Sequence, residues 1–508
     1  MTNRVATTIA TAVLALGALT ACGDDAAPAP EPRPWPAPDA WGGTTGPGVP
    51  PVSFTDDELF VNCAYLSGGE RDVTDHHNLA VMYDGYLLMP WAPEWGGGGL
   101  TFFDLSEPCD PVPVGSGYAS TMRESHSIGF SSIGGRWAVV NSLESINRGG
   151  VQFWDLADVT NPTHVADLNL PNFLYPDAYA RVVLSVFWQG PFVYAAHADN
   201  GVVVIDATDP TAPEIVTTIT FDPVIRTGQV QAIGDLLVVT GAETPDTALI
   251  DISDPYNPVP ILGGRFLVQD DAGDNRDFYF SNTSNGFIYY ARKSSGGGLI
   301  IYDIRDPQNP NLAGSYRSNG NGGYVFVHED YAFVGESSFG ALYSIADHAN
   351  IEPLGRFELT GDLDTVTPAG HLAIVAVDDG ANRGEGTAIA PWRTTPDTNP
   401  PVVTWAWPRP DSVDLRPTSR LGLTFNEMIE PMSVFAGSVR LYEADTDPEL
   451  TRVDVFLSAQ ETIVNVWPEA PLRPGVTYEL HVPAGGVTDV SGNAIAEPFT
   501  ARYTVADP

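Results

Sequence analysis

The chain has 508 residues, of which 43% are hydrophobic and 17% charged, so it can bury a sizeable core in more than one domain. Its 64 Asp and Glu against 24 Lys and Arg give a formal net charge of −40. Because such a surface repels phosphate groups, the composition argues against nucleic acid and against an anionic membrane surface as partners.

The N-terminus has the character of a targeting signal. Arg4 precedes the apolar run VATTIATAVLALGALTA, which is too short for a spanning helix. The run and the next residue end in LTAC, which resembles the lipobox of bacterial lipoproteins. That resemblance implies a signal peptide over residues 1–22 and a lipid-modified Cys22 that anchors the chain to a bilayer without spanning it. Gly23, in place of aspartate, favours the outer membrane or the cell surface. Residues 23–57, rich in Pro, Ala and Gly, are predicted to form a tether.

Residues 58–392 repeat one pattern. The copies LTFFDLSEPCDP, VQFWDLADVTNP, GVVVIDATDPTAP, ALIDISDPYNP and LIIYDIRDPQNP follow one another at spacings of 51, 51, 45 and 52 residues. A period of this size predicts a repeat fold. Each copy has two apolar runs before the aspartate-containing run and a weaker run after it, which predicts a four-stranded blade. Two degenerate copies bring the number of blades to seven.

The central acids of the five copies are predicted to be structural: Asp104, Asp155, Asp206, Asp251 and Asp303. Each carboxylate can accept from the backbone N–H two residues on, and the following Asp-Pro or Asn-Pro pair fixes a turn. Equivalent positions in a ring lie in different blades, so these acids cannot act as paired catalytic carboxylates.

The seventh copy lacks a fourth strand. The run LFVNCAYLS at 59–67 precedes the first blade and has no hairpin partner, so we expect it to complete the seventh blade and close the ring, which removes an exposed sheet edge. Cys63 and Cys109 are a disulfide candidate at this seam, because an exported protein meets an oxidising compartment; two free thiols are the alternative.

Two resemblances to known families follow from these motifs. GVVVIDATDPTAP and LIIYDIRDPQNP resemble the LVIVD repeat of bacterial and archaeal surface proteins, which implies a β-propeller and export but no reaction. After a linker at 393–400, LGLTFNEMIEPMS, PLRPGVTYELHV and VTDVSGNAI are similar to a bacterial Ig-like domain, here residues 401–508. Its short strands at turn-punctuated spacing predict a β-sandwich. The expected fold is all-β: a seven-bladed propeller followed by an Ig-like sandwich.

Propeller topology places the starts of the innermost strands and the loops between second and third strands on one face, which is the candidate binding face. The strand starts are His77, His126, Arg181, Gln229, Asp277, Tyr324 and Asp364. The loops carry Trp91, Trp95, Arg148, His197, Asp199, Lys293, Glu336, Asp378 and Asp379. In the Gly-rich stretch MPWAPEWGGGGL, Trp91 and Trp95 are candidate anchors for a protein or a glycan; the alternative is that they cover the channel.

Two kinds of metal site are conceivable. His77 and His126 start adjacent blades and are candidate ligands of a transition metal, although no H-x-x-H or H-E-x-x-H spacing supports them. The acidic stretches QDDAGDNRD, DDGANRGE and EADTDPE could hold Ca²⁺ loosely, although none matches an EF-hand loop and solvated loops are the alternative. No other cofactor is expected.

The sequence thus predicts a cell-envelope lipoprotein whose propeller binds or scaffolds a protein or glycan partner. The alternative is an exported propeller enzyme, a hydrolase or oxidoreductase, with a metal or substrate at the channel mouth. Only two of the seven strand starts are His, and no G-x-S-x-G elbow, phosphate-binding loop or dinucleotide fingerprint is present. Binding is therefore favoured, although the fold alone does not choose between the two.

Overall fold

The computed structural model describes the backbone of Cys63–Tyr65 and residues 79–93, 96–106, 111–175, 180–294, 296–357, 361–378, 387–393 and 395–507. Within these residues the chain forms nine antiparallel four-stranded sheets. Seven of them are the blades of a propeller, and the last two form a C-terminal sandwich. The predicted all-β fold, with seven blades and an Ig-like sandwich, is confirmed.

The blades follow one another along the chain. Blade 1 contains β2 (Val81–Tyr83), β3 (Tyr86–Trp91), β4 (Gly98–Asp104) and β5 (Val112–Ala119). Blade 2 contains β6 (Gly129–Ser131), β7 (Trp137–Ser145), β8 (Arg148–Asp155) and β9 (Thr163–Asn169). Blade 3 contains β10 (Ser185–Gln189), β11 (Phe192–Ala196), β12 (Val202–Asp206) and β13 (Glu214–Ile219). Blade 4 contains β14 (Thr227–Ile233), β15 (Leu236–Gly241), β16 (Asp246–Asp251) and β17 (Val259–Leu267).

The remaining blades have the same order. Blade 5 contains β18 (Phe278–Ser284), β19 (Phe287–Arg292), β20 (Gly298–Asp303) and β21 (Asn311–Arg317). Blade 6 contains β22 (Val325–His328), β23 (Tyr331–Gly335), β24 (Gly340–Ser344) and β25 (Glu352–Phe357). Blade 7 contains β26 (Thr365–Ala369), β27 (Leu372–Ala376) and β28 (Thr387–Pro391), with β1 (Cys63–Tyr65) at its outer edge.

The burial of the strands explains their sequence pattern. Each blade is packed between two neighbours, so its inner strands lose the usual alternation of apolar and polar residues. In β12, for example, Val202, Val203, Val204 and Ile205 are all fully buried, whereas the outermost strand β13 is largely half-exposed. The first strands of blades 2 to 7 contact one another in order and therefore surround the central channel.

The five repeat aspartates have the predicted structural role. Each accepts a hydrogen bond from the backbone N–H two residues on, at 2.8–2.9 Å; the donors are Ser106, Ala157, Thr208, Ser253 and Arg305. A second Asx-turn, not predicted from the sequence, follows in blades 2 to 6. Its acceptors are Asp158, Asp209, Asp254, Asp306 and Asp347. In blades 2 to 5, two side-chain acceptors thus hold each outer turn.

The ring closes as predicted. Strand β1 pairs antiparallel with β28, so that Cys63 lies opposite Ile389 and Tyr65 opposite Thr387. One apolar cluster joins blade 1 to blade 7 and includes Leu87, Leu372 and Ile374. Cys109 lies outside the described residues, as does Cys22, so the disulfide and the lipid anchor stay predictions.

The C-terminal sandwich consists of two sheets. One has the strand order β29 (Val403–Trp407), β30 (Leu421–Phe425), β34 (Ile463–Pro468) and β33 (Val455–Gln460). The other has the order β32 (Arg452–Val453), β31 (Arg440–Glu443), β35 (Thr477–Val482) and β36 (Phe499–Thr504). A 3-10 turn spans Pro431–Ser433 and a single helical turn, α1, spans Pro448–Thr451. Buried side chains such as Leu423, Leu480 and Tyr503 fill the space between the sheets.

The sandwich packs on the propeller face that carries the turns between first and second strands. The N–H groups of Asp84, Gly234 and Asn285 donate to Glu430, Asn465 and Thr424 over 2.8, 2.8 and 3.1 Å. These turns belong to blades 1, 4 and 5, so the contact is spread around the ring. The Ig-like domain therefore covers one face of the propeller. In the part of the chain that the structure describes, no helix is both long and apolar enough to cross a bilayer.

Candidate functional site

A side chain of the Ig-like domain enters the central channel of the propeller. Glu461, at the tip of the β33–β34 hairpin, accepts from Gln231 Nε2 at 2.8 Å and from Asn282 Nδ2 at 2.5 Å. Gln231 lies on β14 and Asn282 on β18, two first strands that line the channel. Burial raises the pKa of Glu461 to about 7. A ligand in the channel would therefore have to enter from the opposite face, which we call the open face.

Three residues of blade 2 stand at the channel opening on the open face. Arg123, Glu124 and His126 precede β6 and are only 2%, 4% and 3% exposed. The Glu124 carboxylate lies between the other two: Oε1 is 3.0 Å from His126 Nε2 and Oε2 is 3.5 Å from Arg123 Nη2. The backbone is fixed as well, because Asn141 Nδ2 donates to the Glu124 carbonyl at 3.2 Å. A buried carboxylate is thus held in one orientation by two basic side chains.

Aromatic rings from blades 5 and 6 surround the imidazole of His126. Its ring centre is 5.3 Å from that of Phe280, 6.2 Å from that of Tyr279 and 6.3 Å from that of Tyr324. Phe280 and Tyr324 are stacked on each other at 4.3 Å. The opening therefore combines apolar ring faces with charged groups. We call this group the channel mouth; its members are Arg123, Glu124, His126, Tyr279, Phe280, Tyr324 and Asp364.

Several polar atoms of the channel mouth are buried without a hydrogen-bond partner among the described residues. They are Arg123 Nε and Nη1, His126 Nδ1 and Tyr324 Oη. Leaving a buried donor or acceptor unpaired costs about 1–3 kcal/mol, and such atoms in native proteins usually contact water or a ligand. Burial raises the pKa of Tyr324 well above its ordinary value, so its hydroxyl stays protonated and able to donate. The channel mouth therefore offers spare hydrogen-bonding capacity.

Carboxyl groups of blade 7 complete the channel mouth. Burial, followed by the neighbouring carboxylate of Asp362, raises the pKa of Asp364, while Lys293 opposes the shift. Lys293 lies 4.0 Å above the ring of Tyr279, and its Nζ is 3.3 Å from Glu243 Oε1. The half-exposed ion pair between Lys293 and Glu243 contributes little stability by itself. The pair forms a charged rim outside the more deeply buried residues.

The structure places some of the predicted site residues at the channel mouth and others elsewhere. His126 lies at the channel mouth, as do Tyr324 and Asp364, whereas His77 and Trp95 lie outside the described residues, so the His77–His126 metal pair stays a prediction. Asp277 is half-buried, and burial together with Glu243 raises its pKa. The guanidinium of Arg148 is 59% exposed and pairs with Glu144 at 2.9 Å, away from the buried groups.

Two expectations are wrong. Trp91 does not present an exposed ring: it belongs to β3, is 2% exposed, and donates from Nε1 to Thr101 Oγ1 at 3.0 Å. The Gly-rich stretch suggested a loop, but the strand continues into it. His197 is fully buried, its Nε2 is 3.2 Å from the carbonyl oxygen of the exposed Arg181, and burial lowers its pKa to about 4. It packs as a neutral structural residue.

The acidic stretches proposed for Ca²⁺ are engaged by protein donors where the structure describes them. Asp270 accepts from the N–H groups of Ala272 and Asp274 at 3.1 and 3.2 Å, and Arg276 pairs with it. Asp445 pairs with Arg502 at 2.8 Å, and Asp447 caps α1. Most of DDGANRGE lies outside the described residues. None of these contacts leaves a cluster of free oxygens.

Arg123 and Glu124 were not predicted from the sequence. The signal was present in the run RESH at 123–126, where two charges stand directly before an apolar strand. Charge before a strand is common in loops, and only the ring geometry shows that this pair turns inward to face blades 5 and 6.

Two clefts of about 560 and 610 Å³ lie elsewhere, where the Ig-like domain meets blades 4 and 5. Both are lined by Asp306 and Arg409. The channel mouth is the better candidate, because its polar atoms are buried and unpaired.

The comparisons with known proteins agree with this architecture. The bacterial Ig-like domain family matches residues 397–505, and the LVIVD repeat family matches residues 180–220 and 283–318, which are parts of blades 3 and 5. A search of curated protein sequences found no match. The bacterial Ig-like domain indicates an exported or surface protein of a bacterium.

Solved structures with a similar fold are distant in sequence. A protein from Lactobacillus plantarum is 11% identical (57% of this chain, 94% of that chain, TM-score 0.45). The periplasmic gluconolactonase of Pseudomonas aeruginosa is 12% identical (54% and 82%, TM-score 0.45). BamB from Moraxella catarrhalis is 12% identical (80% and 98%, TM-score 0.41). At this distance they carry no argument about function. The chain is thus a seven-bladed β-propeller with LVIVD repeats, followed by a bacterial Ig-like domain.

Proposed function

We propose that the protein is a binding protein of the bacterial cell envelope whose channel mouth recognises the end of a glycan. The observation that carries this proposal is the set of buried, unpartnered polar atoms on Arg123, His126 and Tyr324. Sugar hydroxyls can accept from Arg123 and Tyr324 and donate to His126 Nδ1, while the apolar face of a sugar ring packs on an aromatic side chain.

The position of the Ig-like domain supports the same reading. It covers one face of the propeller and leaves the channel mouth open, and its own role is that of a spacer or a second contact module. The net charge of −40 favours a neutral or cationic ligand over a polyanionic one.

The sharpest test removes a single hydroxyl. Tyr324→Phe deletes a buried oxygen that has no partner among the described residues, so folding should be unaffected while glycan binding weakens. Tyr503→Phe is the matched control, because Tyr503 Oη is also buried and unpartnered but lies inside the Ig-like sandwich. Full-length protein would be screened on a glycan array and its affinity measured by calorimetry. Equal binding by wild type and Tyr324→Phe would contradict the proposal.

An enzyme at the channel mouth is the second candidate, because the Glu124–His126 pair resembles the carboxylate-oriented histidine of general-base catalysis. The neighbouring serines do not act as its nucleophile in this structure: Ser125 donates to the Arg123 carbonyl and Ser127 to the Val186 carbonyl. Turnover of an array-identified glycan by wild type, lost in His126→Gln, would favour the enzyme.

The proposal includes an N-terminal lipid anchor at Cys22, and through it attachment to the outer membrane or cell surface. The support is the LTAC motif after the apolar run. Metabolic labelling with a fatty acid should mark the wild type and the control Cys63→Ala but leave Cys22→Ala unlabelled. Label on Cys22→Ala would contradict the anchor.

A further inference from the structure

A second buried cluster lies where the propeller meets the Ig-like domain. His328 and Glu329 come from the end of β22 and its turn in blade 6, Asp397 from the segment between the domains, and Glu427 and Asp489 from the Ig-like domain. We call these five residues the joint cluster. His328, Asp397, Glu427 and Asp489 are 1%, 7%, 1% and 0% exposed. Three separate parts of the chain thus bring ionisable groups to one buried place.

The spacing of the ligand atoms suits a metal ion. His328 Nε2 is 3.7 Å from Asp397 Oδ2 and 3.9 Å from Glu329 Oε2, and His328 Nδ1 is 3.9 Å from Glu427 Oε2. One ligand atom each from His328, Glu329 and Asp397 lies within 4.8 Å of the other two, and Asp397, Glu427 and Asp489 form a second such group. These separations exceed hydrogen-bond length. The 3.7 and 3.9 Å distances around His328 Nε2 fit atoms that surround a common ion at about 2.0–2.2 Å.

The buried imidazole is an independent sign of a ligand. Among the described residues, His328 Nε2, Asp397 Oδ2 and Glu427 Oε1 are all buried without a hydrogen-bond partner. Burial, and then the nearby Arg393, lowers the pKa of His328 to about 3, so the ring is neutral and presents a lone pair. A neutral histidine facing unpaired carboxylate oxygens has the chemistry of a metal ligand.

Among the described residues, the protein's own cations do not balance the cluster. Arg393 pairs with Asp397 Oδ1 at 2.6 Å and with Glu329 Oε2 at 2.9 Å. Asn493 donates to both oxygens of Asp489, and Asn399 donates to Asp397 and Glu329. One arginine thus faces four carboxyl groups. Burial and the neighbouring carboxylates raise the pKa values of Glu427 and Asp489, so excess negative charge is costly here.

We propose that the joint cluster binds one divalent metal ion of the Mn²⁺ or Zn²⁺ type, with His328, Glu329 and Asp397 as ligands, and that this ion fastens the segment that leads into the Ig-like domain to blade 6 of the propeller. Carboxylates alone would suit Ca²⁺ equally well. The imidazole favours a metal that accepts nitrogen together with oxygen. The competing explanation is that protons neutralise the cluster.

The test uses full-length protein stripped with EDTA and reloaded separately with Mn²⁺, Zn²⁺ or Ca²⁺. We expect one equivalent of Mn²⁺ or Zn²⁺ by mass spectrometry, and a rise in Tm on reloading. His328→Gln should lose the bound ion and the rise in Tm, yet its metal-free form should have a Tm close to that of metal-free wild type, because the imidazole Nε2 that it replaces has no hydrogen-bond partner among the described residues. That comparison separates loss of the site from failure to fold.

Glu461→Gln is the matched control, because it changes another buried carboxyl at the same interface that already has amide partners; it should keep the ion and the rise in Tm. Wild type without a stoichiometric ion, or His328→Gln with an undiminished response, would overturn the site in favour of protons. A response to Ca²⁺ alone would overturn the assigned metal class and the role of His328.

Discussion

Gln231 Nε2 donates to Glu461 Oε2 over 2.8 Å, and this bond joins the first strand of blade 4 to the tip of an Ig-like hairpin. The contact lies on the channel wall rather than on the outer surface. The hairpin tip of the Ig-like domain is therefore part of the interior of the propeller. Substitutions at this tip should change the stability of both domains.

Glu461 makes stability depend on pH. Its pKa rises from 4.5 to about 7 on folding, because it is buried, so the folded state holds a proton that the unfolded state releases above pH 4.5. The contribution of this group to stability should therefore fall by about 3 kcal/mol as the pH rises from 4.5 to 7, and then level off.

Glu461→Gln cannot ionise and should lack this slope, so it should be more stable than wild type at pH 8. Denaturant unfolding at several pH values measures the difference between the two proteins. Parallel curves from pH 4.5 to 8 would show that Glu461 does not carry a shifted pKa.

Asn465 holds the docked domain through three buried bonds. Its Oδ1 accepts from the Gly234 N–H at 2.8 Å and from Gln189 Nε2 at 2.9 Å, and its Nδ2 donates to the Ala232 carbonyl at 2.9 Å. Asn465→Ala removes all three bonds, of which only the one from Gln189 Nε2 has a substitute in the Gly234 carbonyl, and should destabilise the protein by about 2–4 kcal/mol.

The segment between the domains should also become more sensitive to protease in the Asn465→Ala variant. Denaturant unfolding measures the loss of stability, and limited proteolysis measures the change in sensitivity. The exposed Asn350→Ala is the control and should change stability by less than about 0.5 kcal/mol. Equal effects of the two changes would mean that Asn465 does not anchor the domain.

The repeat aspartates act as hydrogen-bond acceptors. Asp206 Oδ1 accepts from the Thr208 N–H at 2.9 Å. Asp206→Ala should cost about 1 kcal/mol of unfolding free energy, whereas Asp206→Asn keeps the acceptor and should be nearly neutral. Thermal unfolding of both variants decides the matter; an asparagine variant as unstable as the alanine variant would point to the charge instead.

The seam between blade 7 and β1 carries Cys63, and we expect a disulfide to Cys109. The mass after alkylation should then be the same as that of unalkylated protein unless a reductant is added first. Alkylation of both thiols in non-reduced protein would exclude the bridge.

The repeat pattern predicted the propeller well, because apolar runs and Asp-Pro turns are local properties of each copy. The run LFVNCAYLS also predicted its own pairing, since it had no neighbour in sequence and blade 7 lacked a strand. The docking of the Ig-like domain was not predictable in the same way. Glu461 and Asn465 are ordinary polar residues of a hairpin in sequence, and only the folded surfaces show where they bind.

The residues of the candidate site were likewise predictable only in part. His126, Tyr324 and Asp364 were placed on the correct face by topology alone. The error at Trp91 arose because glycine-rich sequence is typical of loops, while here glycines allow β4 to approach β3 closely. A Cβ on Gly98 would lie 2.0 Å from the Trp91 carbonyl oxygen, so these glycines serve strand packing.

The pairing of β1 with β28 also dictates an order of events during synthesis. Cys63 meets a partner that is made roughly 325 residues later, and contacts between such distant residues form slowly. The ring cannot be complete until nearly the whole propeller has left the ribosome and, for an exported chain, the translocation channel. Its earliest strand must wait unpaired while every other blade is assembled.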